Sequence, residues 1–120
     1  MIHSIRVYVV AAAQIDPFAT AVRDGGLWHH LIRQTVPGWI ATDLLQSKTC
    51  PTIFVAMDFW SSEQAYLRYR RNPARAVLER FLCKLTTHQI DLGMFSFPPK
   101  LYDCEPVTVG FATGDLIGVD

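Results

Sequence analysis

The sequence has no excess of charge of either sign. Its 120 residues include 11 Lys and Arg against 11 Asp and Glu, so the formal net charge at pH 7 is zero. A chain without a positive surplus has no overall field that would draw it to nucleic acid or to an anionic membrane. We therefore expect neither a nucleic acid nor a membrane as a partner.

Long hydrophobic runs are also missing. No apolar stretch approaches the roughly 20 residues that a membrane-spanning helix needs. The short segment VYVVAAA could serve as the core of a signal peptide, but Arg6 interrupts its start and Asp16-Pro17 closes it. We expect a buried strand there instead.

The chain has only three cysteines, an odd number. Cys50, Cys83 and Cys104 are far apart and include no CxxC spacing, so a disulfide framework is not expected. Free thiols indicate a reducing compartment, and we expect a cytoplasmic protein.

Apolar residues are what the chain has in quantity. Half of it is hydrophobic and only 18% is charged. A chain of this length makes one domain with one core, and that core is too small to bury so much apolar surface. We expect homo-oligomerisation to bury the remaining apolar surface.

The first half of the chain predicts a strand, a helix and a hairpin. Residues 4–11 are rich in β-branched residues, and Asp16-Pro17 then has the chemistry of a helix start. One continuous helix is predicted from Pro17 to about Thr35, ended by Pro37-Gly38. Strands are predicted at residues 39–46 and 52–60, joined by a turn.

The second half predicts a broken helix and a last strand. Ser61 and Gln64 have the capping-box spacing, so a helix is expected to begin after Trp60, break near Asn72-Pro73 and continue to about Thr87. A strand is predicted at residues 92–97. The second helical segment carries one apolar stripe, made of Ala74, Val77, Leu78, Phe81, Leu82 and Leu85.

The order strand, helix, strand, strand, helix, strand defines the fold class. It predicts a ferredoxin-like α+β domain over residues 1–97, with a four-stranded antiparallel sheet and its helices on one face. The open face is expected to be covered by the same face of a second copy, giving a homodimer. Residues 98–120 are predicted to be a C-terminal tail, with one candidate strand at residues 107–112 that could extend the sheet or reach the partner subunit.

Two stretches resemble the antibiotic biosynthesis monooxygenase-like family of dimeric α+β barrels. QTVPGWIATDLLQ at residues 34–46 is similar to the family's helix end and second strand, and FVAMDFWSSEQAY at residues 54–66 to its third strand and following helix start. The resemblance implies a homodimer with a pocket in each subunit between sheet and helices. Some members oxygenate polycyclic phenols to quinones without metal or flavin, others degrade haem, and many have no assigned activity. The fold alone therefore does not decide among these activities.

The family pattern of the quinone-forming members is matched only in part. Trp60 and Tyr66 stand at its Trp and Tyr positions, and Arg80 is the nearest counterpart of its Arg, implied to bind substrate. The Asn position falls at Ala56, whose side chain neither donates nor accepts hydrogen bonds. Helical projection also turns Arg80 about 130° away from the apolar stripe, toward solvent. The haem-degrading members need a first-strand Asn and a second-helix His, and neither is present here.

Trp60 is the first candidate for a catalytic role, because an indole N–H beside a pocket can bind a quinone or phenol oxygen while the ring stacks on the substrate. It could instead seal the core. Tyr66 is a second catalytic candidate and Tyr69 a substrate-binding one. Asp58 alternates onto the face of Ala56 and Trp60 and is a candidate general base if burial raises its pKa; otherwise it is a surface or interface charge.

Four arginines cluster in RYRRNPAR, at positions 68, 70, 71 and 75. They could bind a carboxylate-bearing ligand or simply form a solvated helix face.

The stretch DGGLWHHLIR supplies the remaining candidates. On a continuous helix, Gly25 and Trp28 lie on the buried side. The missing side chain of Gly25 either lets the helix approach the sheet or leaves room for a ligand, and Trp28 is then a candidate pocket neighbour. His29 borders that side and could act as acid or base, whereas His30 faces solvent. The two histidines diverge by about 100°, so no metal site is expected.

The expected function is therefore a cofactor-independent monooxygenase acting on a hydrophobic aromatic substrate, phenolic or polyketide-like. Two alternatives stay open, namely a non-catalytic dimeric protein that binds a small apolar ligand, and an isomerase-type enzyme on the same barrel.

Overall fold

A computed structural model describes residues 2–98 of the chain. Within them a short 3₁₀ turn occupies Ala12–Gln14. The strands and helices, in chain order, are β1 Ile2–Val9, α1 Ile15–Val22, α2 Leu27–Thr35, β2 Trp39–Gln46, β3 Ile53–Trp60, α3 Glu63–Arg71, α4 Ala74–Cys83 and β4 His88–Phe95. The predicted tail, with its candidate strand at residues 107–112, lies almost wholly outside the described part of the chain.

The sheet confirms the predicted fold class. Its strand order is β2-β3-β1-β4 with every neighbouring pair antiparallel, which is the ferredoxin-like arrangement. Alternation places every second residue of β3 against the helices, and Phe54, Ala56, Asp58 and Trp60 are all buried there. The predicted sharing of one face by Ala56, Asp58 and Trp60 is therefore confirmed.

A bulge in β2 changes which residues share a face. Trp39 pairs with Trp60 and Ala41 with Phe59, so Ile40 is the extra residue. Without it, Trp39 and Thr42 would point to opposite sides of the sheet. With it, both are buried beneath the helices.

The predicted continuous first helix is wrong. The chain leaves helical conformation after Val22 and resumes at Leu27, with Gly25 in the left-handed region at φ +79°. At Gly26 a Cβ atom would lie 2.5 Å from the carbonyl oxygen of Thr20, so only glycine fits between the two helices. The helix also begins earlier than predicted, with Gln14 rather than Asp16 at the N-cap.

The second helical pair breaks at Asn72 as predicted, but its ends differ. Ser62, not Ser61, caps α3 by accepting a hydrogen bond from the Ala65 amide at 3.1 Å. Helix α4 ends at Cys83 rather than near Thr87, and Val77 is 62% exposed instead of lying in the apolar stripe.

The two faces of the sheet are unequal. The helix-facing side holds the core, centred on Tyr8, Phe18, Phe54 and Trp60. The opposite side carries mainly apolar residues of all four strands, and several of them remain exposed, including Leu45, Ile90 and Phe95. None of the helices described in residues 2–98 is long and apolar enough to cross a membrane.

Candidate functional site

A polar network is buried between the sheet and the helices, and Asp58 is its centre. The Oδ2 atom of Asp58 lies 2.6 Å from Nη2 of Arg6. The same oxygen accepts a hydrogen bond from the Ser4 hydroxyl at 3.3 Å, and Oδ1 accepts one from the Thr42 hydroxyl at 2.5 Å. Side chains of two strands, β1 and β2, thus bind one carboxylate on β3.

Two tryptophans extend this network. Trp60 donates from Nε1 to the Ser4 hydroxyl at 2.9 Å, and Trp39 donates from Nε1 to the Thr42 hydroxyl at 3.0 Å. The bulge at Ile40 makes the second contact possible because it turns Trp39 and Thr42 to the same side. The network therefore runs without interruption from one indole through Asp58 to the other.

Arg6 is a cation held inside the protein. Its side chain is 15% exposed, and its guanidinium carbon lies 4.9 Å from the centre of the Trp28 ring and 5.3 Å from that of Tyr8. Its Nη1 donates to the Tyr8 hydroxyl. Burial by itself lowers the pKa of Arg6, but the carboxylate of Asp58 more than offsets this and the pKa lies above its ordinary value. Arg6 therefore stays charged.

An aromatic group adjoins the network at Trp60. The Tyr66 ring meets Trp60 edge to face at 5.5 Å, and the Tyr69 ring lies 5.3 Å from it at a tilt of 33°. Burial raises the pKa of Tyr69 to about 12, opposed in part by the charge of Arg6, and burial likewise raises the pKa of Tyr8. These two phenols are neutral near pH 7.

The structure brings most of the predicted site residues into one connected group. Trp28 stacks on Arg6, Arg6 pairs with Asp58, and the network leads through Ser4 to Trp60. Tyr66 and Tyr69 pack on Trp60. The candidates in contact through this group are Trp28, Asp58, Trp60, Tyr66 and Tyr69.

His29, which was expected to border the buried side of the helix, is itself buried and lies at the edge of that group. Its ring packs edge to face on Trp39 at 5.3 Å, and Nδ1 lies 3.1 Å from Oδ1 of Asp24 in the turn between α1 and α2. His30 is exposed.

Two predicted site residues stand apart. Gly25 was placed on a buried helix face, but it lies exposed in the turn because the helix is broken there. Arg80 is exposed on α4, in agreement with its helical projection, and does not join the buried group. The four clustered arginines are also largely at the surface, and Arg75 pairs with Glu79 at 2.6 Å.

The site residues that were missed are Ser4, Arg6, Tyr8, Trp39 and Thr42. A signal for Arg6 was present in the sequence, since it is the one Arg, Lys, Asp or Glu residue of β1 and alternates with Ser4 and Tyr8. Thr42 gave no such signal, because its direction depends on the bulge.

An open cleft reaches the network from the side of β2. It has a volume of about 510 Å³ and lies between α1 and β2, with Thr42, Leu44 and Phe54 on the sheet side and Asp24 at the helix side. Two residues of the cleft wall contact buried site residues directly. Thr42 hydrogen-bonds to Asp58, and Asp24 contacts His29. Among residues 2–98 no three His, Cys, Asp or Glu side chains are grouped to hold a metal ion.

The fold and the buried aromatic and polar group define the class of protein, an α+β domain with a candidate ligand site between sheet and helices. The model of the antibiotic biosynthesis monooxygenase family matches residues 1–78, and the chain belongs to that family. No curated protein matches the sequence.

Solved structures with the same fold are distant in sequence. A mutant of SnoaB, a cofactor-independent oxygenase from Streptomyces nogalater, is 19% identical with a TM-score of 0.61, covering 83% of this chain and 95% of its own. A candidate antibiotic biosynthesis monooxygenase from Nitrosomonas europaea is 19% identical with a TM-score of 0.60, covering 81% and 98%. One from Bordetella bronchiseptica is 12% identical with a TM-score of 0.67, covering 81% and 96%. At these identities the likeness shows the fold alone.

Proposed function

We propose that the chain is a cofactor-independent monooxygenase that oxidises a hydrophobic aromatic substrate, phenolic or polyketide-like in character. The observation that carries this proposal is the direct contact between the aromatic group at Trp60 and the buried polar network at Asp58. Aromatic side chains beside a few placed polar groups suit a flat, electron-rich ligand, and Trp60, Tyr66 and Asp58 are all buried in this conformation. Membership of the family supports the reaction class.

Each side chain has a chemical task in this proposal. Trp60 stacks on the substrate ring, and Tyr66 and Tyr69 orient the phenol through their hydroxyls. Asp58, or His29 at the edge of the group, takes the phenol proton, leaving an electron-rich anion that reacts with oxygen. The guanidinium of Arg6 lies 2.6 Å from Asp58 and holds its carboxylate in place.

A non-catalytic binding protein is the second candidate, and one observation favours it. Asp58 already accepts from Thr42 and Ser4 and pairs with Arg6, which uses three of the roughly four lone-pair sites of its carboxylate and limits its capacity to accept a proton from a ligand. Ala56 also offers no amide at the position where the family pattern has Asn. Both features suit a pocket that holds a ligand without converting it.

Oxygen consumption by metal-free protein separates the candidates. With a panel of anthrones and electron-rich phenols, we expect uptake in the wild type, a clear loss in Trp60→Phe and no loss in the matched surface variant Arg80→Lys. Binding across the panel without oxygen uptake would sink the monooxygenase proposal in favour of the binding protein. Conversion that continues under argon would point to an isomerase-type enzyme instead.

We further propose that two copies pair through the apolar face of the sheet opposite the helices. The exposed side chains of Leu45, Ile90 and Phe95 on that face support pairing, since an apolar surface of this kind is usually covered. The ligand sites then lie on the outer, helix-covered side of each subunit.

We also propose a cytoplasmic location. Cys50 and Cys83 are free and exposed, which suits a reducing compartment. Mass spectrometry after thiol blocking in intact cells should find both as thiols, and a disulfide at either position would contradict the proposal.

A further inference from the structure

The zero net charge of the chain conceals an uneven distribution of charge along it. Residues 2–98 contain ten Lys and Arg against seven Asp and Glu. Residues 101–120, which we call the acidic tail, contain four Asp and Glu and no Lys or Arg. The described part of the chain is therefore positive and the acidic tail negative, so the two attract each other.

A groove on the helix side carries two arginines without an acidic partner among residues 2–98. It has a volume of about 410 Å³ and lies where the turn before β2 meets the end of α3. Arg68 and Arg71 line it and are exposed. The other two arginines of this cluster are held in ion pairs with Asp91 and Glu79. No described Asp or Glu lines the groove, so its positive charge is uncompensated there.

The remaining wall of the groove is largely apolar. It consists of Val36, Pro37, Tyr69, Asn72 and Pro73. The Tyr69 ring also packs on Trp60 at 5.3 Å, so the groove adjoins the aromatic group from outside. Apolar walls beside guanidinium groups suit an occupant that combines apolar side chains with carboxylates.

The start of the acidic tail matches this groove in charge and in spacing. The segment LYDCEPV at residues 101–107 has Asp103 and Glu105 among apolar neighbours. In an extended chain, residues two apart project to the same side about 7 Å from each other, and the proline after Glu105 favours that conformation. Arg68 and Arg71 are three residues apart on α3, so they are neighbours with Cβ atoms about 5–6 Å apart. Two carboxylates can therefore meet two guanidinium groups at once.

The acidic segment also lies within reach of the groove. Phe95, the last residue of β4, lies opposite the start of β1, and Trp60 at the end of β3 lies there too. Tyr69 contacts Trp60, so the groove opens near this end of the sheet. Two strand spacings, roughly 10 Å, separate β4 from β3. The five residues from Pro98 to Asp103 can span up to roughly 17 Å.

We propose that residues 101–107 dock in this groove of the same chain, with their two carboxylates paired to Arg68 and Arg71. Ion pairs at an exposed surface are individually weak, but a tethered segment binds at a high effective concentration. The docked segment covers the aromatic group on the side of Tyr69. This interaction goes beyond the proposed function and does not rest on it.

A spin label on Cys104 tests the proposal in the whole 120-residue chain. Cys104 lies between the two acidic residues, so in an extended segment its side chain projects away from the side that carries both carboxylates. Cys50→Ser with Cys83→Ser removes two thiols that are exposed and free. The label then reports the position of the acidic segment through the broadening of nearby amide signals in nuclear magnetic resonance spectra.

Two pairs of amides distinguish the two faces of the molecule. Val36 and Asn72 line the groove, whereas Ile5 and Met57 lie with Phe97 on the outer face of the sheet. We expect the label to broaden the signals of the first pair more strongly than those of the second. Raising the ionic strength to about 1 M, where the Debye length is about 3 Å, should reduce the broadening in the groove without any substitution.

A charge exchange tests the pairing itself. Arg68→Glu with Arg71→Glu should abolish the broadening in the groove, because the like charges then repel. Adding Asp103→Arg with Glu105→Arg should restore it, since the two signs are exchanged.

The matched control changes the same amount of charge elsewhere. Arg80 and Lys84 are exposed in and just after α4 and do not line the groove, so Arg80→Glu with Lys84→Glu should leave the broadening intact. The amide spectrum of each variant shows whether it is folded.

Four results would each overturn the proposal. They are stronger broadening at Ile5 and Met57, which places the acidic tail on the outer face of the sheet; no broadening of any amide in residues 2–98; broadening in the groove that persists in Arg68→Glu with Arg71→Glu; and, in isotope-labelled chains refolded together with spin-labelled ones, broadening that shows the tail on the partner subunit. None of these measurements involves oxygen uptake, so their failure leaves the monooxygenase proposal standing.

Discussion

The carboxylate of Asp58 and the guanidinium of Arg6 form an ion pair at 2.6 Å in which the two side chains are 4% and 15% exposed. Such a pair is costly to break from one side, because the remaining charge is left in a place with little water. It joins β3 to β1 through side chains as well as through their shared backbone hydrogen bonds. The contribution of this ion pair to the free energy of unfolding can be measured by substituting its two residues.

Removing one charge should destabilise the protein strongly. We expect Asp58→Asn to lower the free energy of unfolding by about 3–5 kcal/mol. The double variant Arg6→Met with Asp58→Leu should recover most of this loss, since neither charge is then buried alone. Urea denaturation checks both, and a cost below about 1 kcal/mol for Asp58→Asn would mean that the pair is solvated.

The alkaline stability of the protein should depend on Tyr69. Burial raises its pKa from 10.0 in the unfolded chain to about 12 in the folded protein. The unfolded state therefore releases the phenol proton first, and stability falls as pH rises from 10 toward 12. This decline should be shallower in Tyr69→Phe, measured by urea denaturation at several pH values. The same slope in both proteins would show that Tyr69 titrates normally.

The glycines at the two helix junctions should differ in their tolerance of a side chain. Gly25 has φ +79° with open space around it, so Gly25→Ala should cost about 1 kcal/mol from the backbone alone. At Gly38, φ is +88° and a new Cβ would lie 2.4 Å from the Cβ of Ala65. Gly38→Ala should therefore add an overpacking cost of about 1–3 kcal/mol.

Thermal denaturation ranks these variants. Gly25→Asn serves as the mild control, because Asn accepts positive φ more readily than Ala does. A cost for Gly38→Ala no larger than that for Gly25→Ala would show that α3 does not approach the chain at Gly38 as closely as described.

The sequence predicted the parts of this molecule that depend on periodicity. Alternation along β3 correctly placed Asp58 and Trp60 on one buried face, and the turn residues located the hairpin. Prediction from the sequence failed where a bulge or a break changes the face to which the following side chains point. Nothing in the composition of β2 indicates the bulge at Ile40, so the contact between Thr42 and Asp58 could not be foreseen. The break at Gly25 likewise moved that residue from the core to the surface.

Arg80 should be dispensable for ligand binding and for oxygen uptake. The family pattern suggested it as a substrate ligand, but its side chain is exposed on α4 and outside the buried group. We expect Arg80→Ala to change neither the affinity for electron-rich phenols nor oxygen uptake by more than about twofold, as is usual for isolated surface positions. A tenfold loss in either would require α4 to turn its exposed face toward the ligand.

The apolar outer face of the sheet should decide the oligomeric state. Val55 lies at its centre, paired with Val7 on one side and Leu45 on the other. A dimer through this face should sediment at twice the monomer mass of 13.6 kDa. Val55→Glu places a charge where it would be buried without a partner, so it should yield monomers.

Val77→Glu is the matched control for that experiment. Val77 is an exposed apolar residue on α4, on the other side of the molecule, and the same substitution there should leave the dimer intact. Circular dichroism must show that both variants are folded. If Val55→Glu stays folded and dimeric, the interface lies elsewhere. If the wild type sediments as a monomer, the apolar face is not used for self-association at all.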